Sequence, residues 1–449
     1  MSFVLLLPLE LRIGFLFILG AIIGSFLNVC IYRIPPGLNF VAGRSFCHAC
    51  QAQIAWYDNI PLWSWLWLGG RCRACQAKFS FRYFLVELLT GSVFAGLYWW
   101  EIGQLGLYPA SLAAQLQPLA LHPQMVNVLH AQYLSHITLF SFMIVASMID
   151  IDYQIIPDEA TIPGTLIALI IAAAYPWSLL PNWQSVFVMM PPPGRMVLDP
   201  EPFLVFSNSF DNYPARLAGL RNPQALAVAL GCLWVWCIAL LPRRFRIRRG
   251  WKIGWLLFWR GLFSYKLIHI IAVVGGLAIT AFWWWVPAEM HWQGLLTALL
   301  GMAWGCGLLW VVRVVCGVSL GKEAMGFGDV VLVAMMGAFL GWQPVLILFF
   351  VAPFYGLVIG LFTWFFHGES RIPYGPYLCL GAATVLIRWE GFWQYSRNLF
   401  YYLNALLPLF IIASTGIMAL LLLMLRVVRL FTQRGEVDED EEVEIKAEK

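Results

Sequence analysis

Charge is what this sequence has least of. Of 449 residues, only 12% are Asp, Glu, Lys or Arg, where a soluble domain carries about 25%. A chain this long needs a polar surface to cover its core, and this composition does not supply one. A soluble globule and a disordered chain are both excluded. Cysteines number ten, but six of them (Cys30, Cys232, Cys237, Cys306, Cys316 and Cys379) are scattered in apolar runs, where the residue acts as a small hydrophobe. That distribution excludes a secreted disulfide scaffold. No cleavable signal pattern is present: Arg12 leads into a full-length apolar run that continues past Cys30, a retained span. No glycine-rich dinucleotide fingerprint occurs either.

What the chain has is hydrophobicity. Hydrophobic residues make up 61% and aromatics 16%, and the mean hydropathy is +0.75. Apolar runs exceed the ~18 residues that read as a membrane span. The expected fold class is all-α, a polytopic helical membrane protein. Expected spans are 13–32, 81–100, 131–149, 162–180, 224–241, 266–286, 294–315, 330–343, 344–366, 376–391 and 400–425, about eleven helices. Lysine and arginine set the orientation. The loop after the first span holds Arg33, Arg44, Arg71, Arg73, Lys78 and Arg82 against the single acid Asp58, so it faces the cytoplasm and the N-terminus lies outside. Residues 101–130 contain no Lys or Arg and suit the outside. The basic run 243–249 and Arg426, Arg429 and Arg434 fall inside on strict alternation, which also places the C-terminus in the cytoplasm. The lipid bilayer is thus an expected partner. Nucleic acid is not, because the arginines at 243–249 are explained by topology and anionic lipid.

The expected divisions are a first span (1–32), a polar cytoplasmic loop (33–80), a membrane core (81–180), an insertion with an outside loop and two spans (181–293), a second core segment (294–391), a further span (392–435) and an acidic tail (436–449). Two spans in the insertion return the chain to the same face, so 182–291 is expected to form a peripheral hairpin.

Cys47, Cys50, Cys72 and Cys75 form two C-x-x-C pairs about twenty residues apart, a zinc spacing. Four thiolates fill a tetrahedral shell and leave no open position, so the metal is expected to be structural. His48 is read as a bystander. The loop is too short for a core of its own, and metal binding would supply its folding energy.

Acids at a membrane edge are functional candidates. Asp150-Ile151-Asp152 closes one span, Pro157-Asp158 follows, and Gly326-Phe327-Gly328-Asp329 opens another. Residues 150–161 carry acids and no bases on a face where bases are expected, which gives those acids a task other than topology. Asp150 and Asp329 fall at the same depth and are expected to face each other. Two facing carboxylates cannot both ionise cheaply, so one serves as base and the other as acid. Gly326 and Gly328 are expected to let the backbone turn sharply and approach a substrate strand.

In these blocks the sequence resembles the prepilin peptidases, membrane aspartic enzymes that process type IV prepilins and type II secretion pseudopilins. The resemblance runs through Gly24-Ser25-Phe26-Leu27-Asn28-Val29-Cys30 and Ile31-Tyr32-Arg33-Ile34-Pro35. It continues through the two cysteine pairs with Trp56-Tyr57-Asp58-Asn59-Ile60-Pro61 between them, then Arg82, Tyr83 and Glu87. Ile149 to Asp152, Ile156-Pro157-Asp158 and Thr161 follow, then Gly321 to Asp329, and Arg371-Ile372-Pro373-Tyr374-Gly375-Pro376-Tyr377. It implies cleavage of a basic leader after a glycine, on the cytoplasmic side of the bacterial inner membrane. Asp150 and Asp329 would be catalytic, with Asp152, Asp158, Gly326, Gly328 and Lys322 in support. It also implies N-methylation of the new N-terminus from S-adenosylmethionine. An alternative is a methyltransferase or assembly factor without peptidase activity. An ion-coupled transporter is disfavoured, since it needs acids near the bilayer midplane.

Overall fold

The computed structural model describes residues 7–39, 45–117, 123–182, 217, 221–240, 266–286, 288–320, 326–367, 373–403 and 416. The expected outside loop over most of 183–220, the basic run 243–249, Lys322, most of the span 400–425 and the acidic tail lie outside these residues.

Among the described residues the chain is helical, with two isolated β-bridges, Phe46 to Gln53 and Arg71 to Lys78. In order the helices are α1 (Leu9–Arg33), α2 (Trp63–Trp67), α3 (Phe81–Tyr98), α4 (Ala110–Leu116), α5 (Pro123–Tyr153), α6 (Asp158–Ala174), α7 (Pro223–Ala239), α8 (Lys266–Trp285), α9 (Glu289–Leu320), α10 (Phe327–Leu340), α11 (Trp342–His367), α12 (Gly375–Ile387) and α13 (Trp389–Leu403). Five contain stretches long and apolar enough to cross a membrane: α1, α5, α8, α9 and α11. The chain is a membrane protein on this composition. The eleven expected spans are not all of that kind: α7, α10 and α12 are apolar but shorter.

α10 organises the bundle. Every residue from Gly328 to Leu340 is buried, so this helix has no exposed face. A helix apolar all round belongs in the interior, and α5, α6, α7, α9, α11 and α12 pack on it. Its 14 residues rise only about 21 Å, less than the ~30 Å hydrocarbon layer. Gly341, at φ +95°, stops it and lets α11 begin at once. Against α9 the two backbones nearly touch: a Cβ on Gly301 would run into the Gly337 carbonyl, and one on Gly337 into the Gly301 carbonyl. Small residues at such crossings let apolar helices approach where lipid supplies no hydrophobic drive.

A second close pair is α1 with α3. A Cβ on Gly20 would lie 2.9 Å from the Gly91 Cα, and one on Gly24 would lie 2.8 Å from the Glu87 Cα. Both helices also contact α5.

Two sequence expectations are corrected. The insertion is not a peripheral hairpin throughout. Ala225, Ala229, Cys232, Leu233, Trp236 and Cys237 on α7 are buried, and α7 packs against α9; only α8 exposes most of its length. Residues 101–130 are not simply a loop. After α3 a π-turn (Trp99–Gly103) carries Glu101 into the interior, where its carboxylate pairs with the buried His136 ring at 2.8 Å. Leu107 and Tyr108 are also buried there.

Because α10 sits inside, its crossing with α9 should be the most sensitive contact in the bundle. Gly301→Val is expected to destabilise by about 1–3 kcal/mol or more, as overpacking does. Gly307→Val, whose added Cβ has nothing within 4 Å, should stay near wild type. Thermal unfolding in detergent distinguishes the two.

Candidate functional site

Asp150 lies in the last turn of α5. That helix ends where Gln154 takes a left-handed φ of 53° and its N–H bonds the Asp150 carbonyl at 2.9 Å. A carboxylate at a helix C-terminus faces the negative end of the dipole, and a donor from another element offsets this. The Gly375 N–H, at the start of α12, donates to Asp150 Oδ2 at 2.9 Å. Only glycine fits there, because a Cβ would lie 2.7 Å from that oxygen and 3.1 Å from Ile156 Cδ1.

Asp329 sits in the first turn of α10, three positions after the N-cap Gly326. Its carboxylate accepts the Gly326 N–H, the N3-to-N-cap half of a capping box. Both aspartates are 5% exposed, and they are close enough to repel each other when both are ionised. The fold thus brings Asp150 and Asp329 within electrostatic reach of each other. Arg313 acts electrostatically on Asp329 and lies 4.6 Å from the centre of the Phe327 ring. Tyr374 also feels Asp329.

The supporting residues divide. Gly326 and Gly328 do not make a sharp turn: neither has a positive φ. Gly328 instead permits a close approach, since a Cβ there would lie 2.6 Å from Ile156 Cβ. Asp152 is not part of the facing pair. It is half-exposed and takes an ion pair from Arg82, whose other amino group donates to the Met148 carbonyl at 2.7 Å. Asp158 is exposed at the start of α6, favourable against the positive end of that helix. Lys322 is outside the described residues. Gly375, Tyr374 and Arg313 were not singled out as site residues. The Tyr-Gly-Pro block was the only signal for Tyr374 and Gly375, Arg313 had none, and nothing in local spacing aims Gly375 at Asp150.

The four cysteines come together in a second centre. The two knuckles are built alike. Cys47 N–H bonds the Ala52 carbonyl and Cys72 N–H the Ala77 carbonyl, both at 2.9 Å. Gln51 and Gln76 turn each knuckle with φ of 58° and 57°. Cys47, Cys50, Cys72 and Cys75 place all four sulfurs within 4.8 Å of one another, and Cys47 Sγ is 3.8 Å from Cys75 Sγ. A tetrahedron with Zn–S of ~2.3 Å has edges of about 3.8 Å, so the thiols fit that metal. None is in a disulfide. The Cys50 backbone N–H, hydrogen-bonded to the Cys47 sulfur, helps bring that thiol down to about 7. Arg73 clamps the knuckles from outside, donating to both oxygens of Asp58 at 2.6 and 2.8 Å. That guanidinium holds the Asp58 carboxyl below the usual carboxylate range.

Between the knuckles and the ends of α1 and α3 lies a pocket of about 970 Å³, its open mouth included. His48, read as a bystander to the metal, lines it, with its ring 4.3 Å from that of Tyr32.

Comparison with known proteins finds matches over both parts of the chain that carry these centres. Residues 18–101 match the bacterial peptidase A24 N-terminal domain, a range that takes in most of α1, the knuckles and α3. Residues 137–191 and 257–361 match the type IV leader peptidase family, which covers Asp150 and Asp329. A prepilin leader peptidase/N-methyltransferase of Myxococcus xanthus is 40% identical over 162 residues, 36% of this chain and 40% of that protein. Proteins of the same description match at greater length: 25% identity in Aeromonas hydrophila, over 84% of this chain and 91% of that one, and 27% in Pectobacterium carotovorum, over 83% and 92%. The chain thus spans less than half of the first of these relatives and about nine-tenths of the other two. No solved structure matches. With the two domain matches together covering more than half of its length, in the order of its two centres, the chain belongs to the type IV leader peptidase family.

Proposed function

We propose that this protein is a membrane aspartic endopeptidase. It cleaves the leader from type IV prepilins or type II secretion pseudopilins and methylates the new N-terminal amine. The observation that carries the reading is the meeting of two buried carboxyls, Asp150 and Asp329, drawn from the ends of different helices. The names of the relatives support the same chemistry.

The pair works as one titrating unit holding one proton. The ionised carboxylate takes a proton from water as the oxygen attacks the scissile carbonyl carbon. The protonated carboxyl donates to the carbonyl oxygen, and a proton then passes to the leaving nitrogen as the C–N bond breaks. The Gly375 N–H fixes one carboxylate and the Gly326 N–H the other, so the geometry is held before substrate arrives. Both groups lie at helix ends rather than mid-helix, the place where a substrate helix leaving the membrane presents an extended segment. The charge asymmetry of the loops supports cytoplasmic placement of this face and residence in the bacterial inner membrane.

Zinc is the metal the four cysteines suit, in a structural role, because the thiols leave no position for substrate. S-adenosylmethionine would supply the methyl group as an electrophilic carbon on a sulfonium. A transporter reading has no support in the site, since the acids meet at helix termini within a family of peptidases.

Asp150→Asn and Asp329→Asn should each lower leader cleavage by at least about a hundredfold, the scale of lost acid–base catalysis, while leaving thermal unfolding near wild type. Gel shift of a co-expressed prepilin reads the result; cleavage near wild type by either variant removes that residue from the proposed chemistry. Metal analysis should find about one zinc per chain, and Cys72→Ser should lose it. Protein purified without chelator that contains no zinc would contradict the assignment.

A further inference from the structure

Two tryptophans between the knuckles face away from the protein. α2 has only five residues, and its sides differ. Ser64 is buried, and its hydroxyl donates to the Tyr57 carbonyl at 3.2 Å. Trp65 turns inward, its ring centre 5.1 Å from that of Phe81 and 5.3 Å from that of Phe84 on α3. Trp63, Leu66 and Trp67 face out, 61%, 59% and 72% exposed. Positions three and four apart share one side of a helix. The Trp63 and Trp67 rings stack there, with centres 6.2 Å apart and planes inclined by 18°. The preceding turn, Trp56–Asn59, contacts α2 and exposes Trp56. Contiguous exposed apolar surface marks an interaction site.

This surface is held at a fixed height. The Leu62 N–H, at the entry to α2, donates to Glu87 Oε2 at 2.8 Å, and the chain turns there through a left-handed φ of 63° at Leu62. Phe81, Phe84 and Glu87 thus bolt α2 to the start of α3. That end of α3 is also joined through Arg82 to Asp152, at the end of α5. α2 therefore stands at the level where the helices leave the hydrocarbon layer, the same level as the aspartate pair.

Continuity and charge identify the occupant as lipid. Phe81, Leu85 and Leu89 are exposed on α3, every fourth residue on one side of the helix. In a membrane protein such a stripe faces hydrocarbon chains, and it reaches α2 through the contact of Phe81 with Trp65. Arg71 and Lys78, joined by a β-bridge soon after α2, are both exposed. Tryptophan concentrates at the membrane–water boundary, and bases beside it attract anionic headgroups. A protein partner would account for the apolar surface but not for its merging with a lipid-facing stripe.

We infer that α2 is an interfacial wedge. Trp63, Leu66 and Trp67 sink into the headgroup region of the anionic leaflet beside the aspartate pair, with Arg71 and Lys78 over the phosphates. The knuckle loop is then fixed at three places: α1, α3 and the bilayer itself.

The test substitutes Trp63 or Trp67 by the photoreactive residue p-benzoylphenylalanine in the full-length protein. The protein is reconstituted in nanodiscs of phosphatidylethanolamine with a minor share of phosphatidylglycerol. Illumination and mass spectrometry should find phospholipid adducts at both positions, with phosphatidylglycerol at least about twofold above its share of the lipid. Zinc content and thermal unfolding like those of wild type show that a substituted loop is folded, and Leu66 supplies a third position on the same side. Adducts to protein instead, whether a second copy of this chain or a co-reconstituted prepilin, overturn the wedge, as does an absence of adducts from folded protein. Lipid adducts drawn only in proportion to composition overturn the role of Arg71 and Lys78. In the same discs, trypsin should cut after Arg71 or Lys78 several-fold faster in a folded Trp63→Ser, Trp67→Ser variant than in wild type; equal rates contradict the anchoring.

Discussion

A carboxyl at the mouth of a helix with no exposed face is the constraint on which this structure depends. α10 can be buried on all sides only because its sequence is apolar from Val330 to Leu340 and because Gly337 lets α9 cross it at backbone contact. Its single acid, Asp329, is then confined to the first turn, where the Gly326 N–H and the helix dipole hold it. Asp150 arrives at the opposite kind of terminus, the end of α5, and would be poorly placed without the Gly375 N–H from α12. Three helix ends, from segments far apart in the chain, are needed to hold two carboxyls together. The glycines at 328 and 375 are there for approach rather than for turning, since each faces an atom that a Cβ would strike.

Much of this was legible in the sequence because the signals are local or compositional. Scarcity of charge specified a membrane protein, the C-x-x-C spacing specified the knuckles, and acids at span edges singled out Asp150 and Asp329. What stayed hidden is long-range. The bond from Gly375 to Asp150 and the pairing of Arg82 with Asp152 leave no spacing pattern. Hydropathy also misjudged length. It reads apolar runs without seeing that α10 is capped at both ends by glycine and is too short to cross a bilayer alone. For the same reason it treated 224–241 as one half of a peripheral hairpin, although Trp236 and Cys237 are wholly buried. Glu101 was passed over because a lone acid in a polar segment gives no hint that a π-turn will drive it against His136.

The two centres divide the molecule's chemistry. One is a pair of carboxyls set in helix ends, with Arg313 and Tyr374 in electrostatic reach of Asp329. The other is a thiol cluster beside an aromatic pocket, formed where α1 and α3 leave the bundle. Zinc would give the knuckles a fold that their short length cannot supply through burial, and the Arg73 clamp on Asp58 adds a partly exposed ion pair of small worth. The contact of Arg82 with Asp152 and with the Met148 carbonyl ties the start of α3 to the end of α5, the helix that carries Asp150.

The central claim is that residues 150 and 329 share one site. Its most direct test is thiol crosslinking of an Asp150→Cys, Asp329→Cys double variant in which Cys379 is replaced by Ser and the knuckle cysteines are retained. A short bifunctional thiol reagent, followed by proteolysis and mass spectrometry, should recover a peptide pair joined through 150 and 329. Recovery of each position only as a separate single adduct, from protein that unfolds like wild type, would contradict it.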